Sequence, residues 1–251
     1  MNDESLKSRF DDDGFVAVRQ FLPEEELQQL QSELDRYIHD VVPNLPSSDA
    51  FYHDCERPET LKQMQHMGND AFFEEYRRHP RWVQLATKLL GEPAQSKGPE
   101  WFNKPPGTDH PTPPHQDNFY FCLRPPSVLT MWLALDDVDA ENGCLRYVAG
   151  SQKPGIRPHG PTAVLGFSQG ILDYCSADRD AEVAVSLQPG DVVAHLGNTI
   201  HRADANSSAD RNRRAFAMVF EGESCQRDAD AYARYEVALE QQHSRMGLAG
   251  A

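Results

Sequence analysis

The sequence predicts a mainly β protein, a double-stranded β-helix of the jelly-roll or cupin kind with flanking α-helices. Short runs of β-branched and aromatic residues follow one another along the second half of the chain, and turn signals such as Asn142-Gly143 and Pro189-Gly190-Asp191 separate them. No helix-length apolar pattern lies between them. We therefore expect a helical flank over about 1–95, the barrel over about 96–222 and a C-terminal helix over about 227–243, all within one domain.

Apolar residues recur at helical spacing ahead of the predicted barrel. The first such pattern follows Pro23 and a run of acidic residues, and a second begins at Pro80 and ends at Gly91. The apolar positions of the first pattern are Leu27, Leu30, Leu34, Ile38 and Val41. We expect both segments to be amphipathic helices that pack outside the sheet.

Composition excludes several classes of protein. The formal net charge of −15 disfavours a general role in binding nucleic acid or anionic membranes, and basic residues cluster only at 77–81 and 211–214. The chain opens with polar residues, and no apolar run approaches the roughly 20 residues of a membrane span, so we expect a cytoplasmic protein. The five cysteines are scattered and lack CxxC spacing, which argues against a disulfide framework or a zinc ribbon.

The tripeptide His115-Gln116-Asp117 is the most informative motif. In an extended strand, residues i and i+2 face the same side, so His115 and Asp117 can reach one metal ion while Gln116 faces away. His201 lies on a later strand and is the candidate third ligand; His195 is interpreted as a strand residue. Two imidazoles and one carboxylate on one face of Fe(II) leave positions for a chelating cosubstrate and oxygen. The motif therefore predicts an oxygen-activating enzyme.

The order of several motifs resembles the phytanoyl-CoA dioxygenase family of Fe(II)- and 2-oxoglutarate-dependent oxygenases. The similarity spans about residues 10 to 220. Its pieces are the segment 13–27, NKPPG at 103–107, HQD at 115–117, Trp132, ENGCLRYVAGSQ at 141–152, PGD at 189–191, His201, and RRA at 213–215. The resemblance implies that His115, Asp117 and His201 bind Fe(II), and that 2-oxoglutarate and O2 are consumed with release of succinate and CO2.

The resemblance also implies an arginine for the far carboxylate of 2-oxoglutarate, which a guanidinium can bind with two parallel hydrogen bonds. We assign this role to Arg213, with Arg211 and Arg214 as competing candidates. The family arginine is often followed two residues later by alanine, as here, and strand alternation then turns Arg214 outward. Arg211 falls in a polar loop.

Four further positions match the family pattern. Trp132 and Gln116 correspond to positions at the cosubstrate pocket, although ordinary barrel packing explains Trp132 equally well. Asn103 and Lys104 are interpreted as part of a loop that leads into the metal-bearing strand.

The chain departs from the family after the distal histidine. The family commonly has Gly-Ser there, with the serine hydroxyl near the cosubstrate, whereas this chain has Arg202-Ala203. Thr199 and Thr130 are candidate replacements for that hydroxyl.

Residues around the barrel mouth are candidates for contacting the substrate, because loop residues often carry function. These are Asn118, Tyr120, Arg157, His159, Phe167 and Tyr174.

Three functions remain open. The first is hydroxylation of a small polar metabolite or natural-product intermediate; Asp117 favours hydroxylation, because related iron halogenases lack this carboxylate. The second is 2-hydroxylation of an acyl-CoA, which a basic groove would support. The third is a noncatalytic cupin-like metabolite-binding protein.

Overall fold

The structure is a computed structural model that describes residues 3–164 and 167–245. Its α-helices are α1 (Asp3–Asp13), α2 (Glu24–Arg36), α3 (Ala71–Tyr76), α4 (Pro80–Leu90), α5 (Asn118–Phe121), α6 (Ser176–Asp180) and α7 (Ala229–Arg245). A π-helical turn, Tyr37–Val41, continues α2, and short 3-10 turns occupy Val42–Asn44, Pro58–Thr60 and Met67–Asn69.

The strands are short and antiparallel. They are β1 (Phe15–Val18), β2 (Ala50–Tyr52), β3 (Leu61–Met64), β4 (Ala94–Lys104), β5 (Thr112–His115), β6 (Leu123–Arg124), β7 (Val128–Ala134), β8 (Leu145–Val148), β9 (His159–Val164), β10 (Phe167–Ile171), β11 (Glu182–Val185), β12 (Val192–Leu196), β13 (His201–Ala203), β14 (Arg213–Gly222) and β15 (Gln226–Arg227).

Two facing sheets form the body of the protein. The large sheet has the order β1-β12-β7-β14-β4-β3-β2, and the small sheet has the order β11-β8-β13-β5. The β9–β10 hairpin lies against β5, and β6 pairs with β15. Strands distant in sequence are neighbours in both sheets, as a double-stranded β-helix requires, and the predicted fold class is confirmed.

Side-chain alternation gives the large sheet two different faces. The outer face packs against α2 and α4, with Trp82 of α4 lying edge-on against Phe216 of β14 at 5.8 Å between ring centroids. The inner face packs against the small sheet through a second cluster, which contains Trp132, Ala134, Val193, Ala215 and Ala217 together with Cys144, Leu145, Tyr147, Val185 and Leu187. The space between the sheets is therefore where inward-facing side chains meet.

Helix α4 begins at Pro80 and is capped by Gly91, which adopts a left-handed conformation with φ 78°. This matches the predicted start and end, because proline suits the first helical turn and glycine the left-handed cap.

Two segments differ from the expectations. The first 95 residues contribute β1, β2 and β3 to the large sheet, so they are not a purely helical flank. Of these, β1 is the strand of the segment 13–27, which resembles the opening strand and helix of the family. The segment after residue 158, interpreted as loops, contains the β9–β10 hairpin. Among the described residues, no α-helix combines the length and apolar character that a membrane crossing requires.

Candidate metal and cosubstrate site

His115, Asp117 and His201 meet between the two sheets. His115 ends β5, His201 begins β13, and the two residues are register partners. The Nε2 atoms of His115 and His201 lie 3.4 and 3.5 Å from Oδ1 of Asp117. One potential ligand atom from each residue lies within 4.8 Å of the others, so the group could hold a metal ion. The structure thus brings together the three residues that the sequence singled out.

The prediction that His115 and Asp117 lie in one extended strand is wrong. Asp117 is not extended: its φ of −57° and ψ of −38° are helical, and it is the N-cap residue of α5. The chain turns at the end of β5, and this turn carries the carboxylate back toward the histidines.

Backbone carbonyls orient both imidazoles. Nδ1 of His115 lies 2.8 Å from the carbonyl oxygen of Pro113, and Nδ1 of His201 lies 3.1 Å from that of Thr199. A proton on Nδ1 that is donated to the carbonyl leaves the lone pair of Nε2 directed at the shared space. Such second hydrogen bonds fix the tautomer and orientation of metal-binding histidines.

The second carboxylate oxygen of Asp117 is held from the large sheet. Thr130 on β7 donates its hydroxyl to Oδ2 at 2.6 Å, and Nε2 of His195 on β12 lies 3.1 Å from the same oxygen. Nδ1 of His195 lies 3.0 Å from the hydroxyl of Tyr147, whose ring stacks on Phe15 at 4.4 Å. His195 is thus not in the metal-binding group but fixes one of its members. Its alternation with Val193 was the only sequence signal for an inward position.

Charge favours a cation at this position. Burial raises the pKa of Asp117, but the nearby imidazoles of His201, His115 and His195 outweigh this effect and bring it well below its usual value. Burial, reinforced by the neighbouring histidines, lowers the pKa of His201. An ionised carboxylate and a neutral imidazole are the forms that bind a divalent metal.

Arg213 points inward, as alternation predicted. Its side chain is only 4% exposed, its guanidinium carbon lies 5.3 Å from the ring centroid of Trp132, and its Nε has no hydrogen-bond partner among the described residues. Burial lowers the pKa of Arg213 to about 10. A buried guanidinium with an unsatisfied N–H is well suited to bind an anion.

The two competing arginines are engaged elsewhere. Arg214 turns outward and pairs with Asp136 at 2.7 Å, and Arg211 pairs with Asp139 at 2.9 Å. Trp132 lies beside Arg213 and also belongs to the inner cluster, so it packs in the core, and its role at the cosubstrate pocket stays a prediction.

Asn103 and Lys104 are not in a loop. They are the last residues of β4, and Lys104 is the register partner of Arg213. Lys104 is buried, with Nζ donating to the carbonyl oxygens of Ala203 and Asp204, and burial lowers its pKa to about 6. The prolines that follow Lys104 hid this strand end in the sequence.

The hydroxyls of both candidate threonines have hydrogen-bond partners in the fold, and their replacement of the family serine stays a prediction. Thr199 is fully buried and donates its hydroxyl to the carbonyl oxygen of Gly14 at 2.8 Å, while Thr130 donates to Asp117. Arg202 pairs with Glu182 and Asp204.

Gln116 contacts the backbone of the neighbouring loops. Its Nε2 donates to the carbonyl oxygens of Gly155 and Asn198 at 2.9 and 2.6 Å, and its Oε1 accepts from the amide of Arg157 at 2.8 Å. These bonds join the turn that carries Asp117 to the neighbouring loops, and the expected place of Gln116 at the cosubstrate pocket stays a prediction.

The candidate substrate residues are mostly bonded to one another or to neighbouring loops. His159 stacks on Phe119 at 4.2 Å, and burial lowers its pKa to about 4. Tyr120 lies 6.2 Å from the His115 ring and donates its hydroxyl to the carbonyl oxygen of Gln169. The other contacts are Asn118 to Leu123 and Asn198, Arg157 to Asp173 and Asp178, and Tyr174 to Glu182. The side chain of Phe167 lies outside the described residues.

Comparisons with known proteins agree with this geometry. Residues 10–215 match the family model for phytanoyl-CoA dioxygenase (PhyH). The chain is 25% identical over 239 residues to the peroxisomal phytanoyl-CoA dioxygenase of Bos taurus, covering 88% of this chain and 69% of that protein. It is 27% identical over 217 residues to a probable phytanoyl-CoA dioxygenase of Caenorhabditis elegans, covering 78% and 68%.

Two solved structures are similar to this chain in fold and in sequence. EvdO2 from Micromonospora carbonacea var. aurantiaca is 26% identical with a TM-score of 0.73, covering 92% of this chain and 94% of that one. The epimerase SnoN, solved in complex with Fe3+, alpha ketoglutarate and nogalamycin RO, is 25% identical with a TM-score of 0.69, covering 89% and 84%.

A double-stranded β-helix with two histidines and a carboxylate at its centre defines a non-haem iron oxygenase that uses 2-oxoglutarate. Within this class, the chain belongs to the phytanoyl-CoA dioxygenase family.

Proposed function

We propose that this enzyme binds Fe(II) through His115, Asp117 and His201 and oxidises a small polar metabolite or natural-product intermediate with 2-oxoglutarate and O2. The observation that carries the proposal is the convergence of these three side chains on one space, with Nε2 of each histidine facing the same oxygen of Asp117. We further propose that the two sheets and the helices packed on them act as a single catalytic domain.

The buried residues fit the cosubstrate as well as the metal. Arg213 offers an unsatisfied guanidinium nitrogen in the same interior space, and it would bind the far carboxylate of 2-oxoglutarate. Strand β7 links the two ends of this site. Its Thr130 donates a hydrogen bond to Asp117. Its Trp132, two residues later on the same face, lies beside Arg213. Trp132 would then flank the cosubstrate.

When bound, iron would activate O2, which is kinetically inert toward C–H bonds, and 2-oxoglutarate would supply two of the four electrons for its reduction as it is converted to succinate and CO2. The protein's own residues hold and orient the ligands. Thr130 and His195 fix Asp117 so that Oδ1 faces the histidines, and apolar side chains of both sheets pack around this region.

Charge bears on the substrate class. Apart from the buried Arg213, the arginines of both basic clusters are paired with carboxylates: Arg77 and Arg78 with Glu74, Arg81 with Glu26, Arg211 with Asp139 and Glu141, and Arg214 with Asp136. An acyl-CoA carries phosphates that need basic side chains, and these clusters offer little uncompensated charge. The pairing therefore favours a small polar substrate over an acyl-CoA, although relatives bear the phytanoyl-CoA name.

Anaerobic titration of the metal-free protein with Fe(II) and then 2-oxoglutarate tests the proposal. Chelation of iron by a 2-keto acid produces a weak visible absorption band, and we expect this band in the wild type. Asp117→Ala should abolish it, because a ligand is lost. Asp136→Ala is the matched control, since Asp136 pairs with Arg214 on the outside, and it should keep the band.

A wild-type protein without the band at any concentration would contradict the assignment. It would favour the noncatalytic binding protein instead.

A further inference from the structure

The inner face of the large sheet carries a carboxylate that the proposed chemistry does not use. Glu100 on β4 is the register partner of Ala217 on β14, and Ala217 is the partner of Trp132 on β7. Trp132 and Ala217 belong to the inner cluster, so alternation places Glu100 on the inner face as well. Thr130, which holds Asp117, is one inward position away from Trp132.

Glu100 lies deep in the protein but remains accessible. Burial raises the pKa of Glu100 to about 7, and the charge of Asp117 adds to this effect. Its side chain nevertheless has intermediate exposure. A carboxylate that lies on an inward face and is partly accessible requires space in front of it, and we refer to this space as the cavity.

Its neighbours indicate the same cavity. A Cβ atom added at Gly98, two residues earlier on β4, would meet no atom within 4 Å. Phe102 and Val219 on the inner face are also only partly buried. The alanines of β14 leave room between Glu100 and Trp132.

One polar partner faces Glu100. Gln63 on β3 is the register partner of the inward Phe102, and its carboxamide donates a hydrogen bond to the Glu100 carboxylate. A carboxylate has about four acceptor positions, so one donor leaves acceptor capacity directed at the cavity. We call Gln63 and Glu100 the polar wall.

We propose that the polar wall is a substrate-recognition site that binds a hydrogen-bond-donating group, a hydroxyl or an ammonium, beside the metal position. A site built to bond such a donor rejects analogues that lack it, because its own polar groups are then left unpaired. The acyl chain of an acyl-CoA offers no donor. This inference rests on the proposed function and narrows its substrate class.

The test uses the visible band of the anaerobic Fe(II) and 2-oxoglutarate complex, which responds when a molecule binds beside the metal. The probes are D-glucose and glycerol for hydroxyl groups, D-glucosamine and ethanolamine for ammonium groups, and ethyl hexanoate, which has no donor. They are titrated into the wild type, Glu100→Ala, Glu100→Gln and the control Glu221→Gln, whose carboxylate pairs with Lys97 on the surface.

We expect a probe with a donor to shift the band and ethyl hexanoate to leave it unchanged. Glu100→Ala should raise the half-saturating concentration at least about 10-fold, and Glu221→Gln should not. Glu100→Gln keeps an acceptor but loses the charge, so it should spare hydroxyl probes and weaken ammonium probes. Thermal unfolding of each variant confirms that it is folded.

The inference is overturned if ethyl hexanoate acts as well as the donors, if Glu100→Ala responds like the wild type, or if no donor shifts the band. Absence of the band before any probe is added would instead refute the proposed function and the inference together.

Discussion

The inner face of the large sheet has two walls that differ in chemistry and in access. The wall around β1, β12 and β7 is mainly apolar and well packed: Phe15 stacks on Tyr147, and Trp132 and Val193 pack against the small sheet. The polar wall on β3 and β4 is open to a cavity. One sheet thus provides both a rigid support and a recognition surface.

The difference between the two walls shows that the metal site and the substrate site make opposite demands on the fold. A metal site needs ligands held in one geometry, and the apolar wall supplies this through Thr130 and His195. A substrate site needs space and unsatisfied polar groups, and these lie across β14. Arg213 stands between them at the start of that strand.

The largest expected difference between the two walls is in how much a substitution lowers the free energy of unfolding. Phe15→Ala removes the ring that stacks on Tyr147 and should lower the free energy of unfolding by about 3 kcal/mol. Gln63→Ala, on the open wall, should lower it by about 0.5 kcal/mol or less. Urea denaturation of both variants measures this difference. Equal losses would mean that the two walls do not differ in packing.

Replacing Arg213, the residue between the two walls, should weaken the binding of 2-oxoglutarate alone. Arg213→Ala would leave a bound carboxylate without its partner, at a cost of about 3 kcal/mol, or about a 100-fold weaker affinity for 2-oxoglutarate. Isothermal titration in the presence of Mn(II) measures this affinity. Arg214→Ala is the matched control and should bind normally; a comparable loss in both variants would exclude a specific role for Arg213.

The hydrogen bond from His195 to Asp117 should increase the affinity of the site for metal. His195→Phe removes a hydrogen bond to Oδ2 of Asp117 and should weaken Fe(II) binding by about 10-fold to 100-fold. Tyr147→Phe removes only the hydroxyl that contacts His195, so its effect should be smaller and in the same direction. Competition with a chromogenic chelator measures both. Tyr76→Phe, in the outer core, serves as the control and should match the wild type.

The smallest expected effect lies in the turn that leads into β12. Asp191 is buried and accepts hydrogen bonds from Arg19 at 2.7 Å and from the amides of Gln20 and Gln188. Burial raises the pKa of Asp191, but these bonds outweigh it and the pKa is lowered. The stabilisation is therefore complete above the carboxyl's unfolded pKa and is lost as pH falls through its lower folded value.

Asp191→Asn should cost about 1 kcal/mol at pH 7. The difference from the wild type should shrink as the pH falls below about 4. Urea denaturation as a function of pH measures it. A difference that stays constant down to the lowest pH would show that ionisation of Asp191 does not contribute.

The sequence predicted the residues of the site better than their surroundings. His115, Asp117, His201 and Arg213 were identifiable because their chemical types and order are specific. The support from His195 was not, because a hydrogen bond between two residues 78 positions apart leaves no local pattern. Glu100 was missed for a similar reason, since an inward carboxylate resembles any polar residue of an alternating strand.

The fold shows the same limit. Helix α4 was predicted to the residue because proline and glycine mark its ends locally. The β9–β10 hairpin was missed because its residues, among them Gly160, Pro161 and Gly170, suggest turns. Its position is set by contact with β5, which only the folded chain provides.

Because His115 and His201 are register partners, a metal ion bound by both would also hold two strands together. The two residues face each other on neighbouring strands, and β13 is only three residues long. An ion held by both side chains would crosslink β5 and β13, and we call the contact between these two strands the seam. Loading of the site would then slow local opening of this seam, and amide hydrogen exchange in these two strands would report occupancy without any turnover.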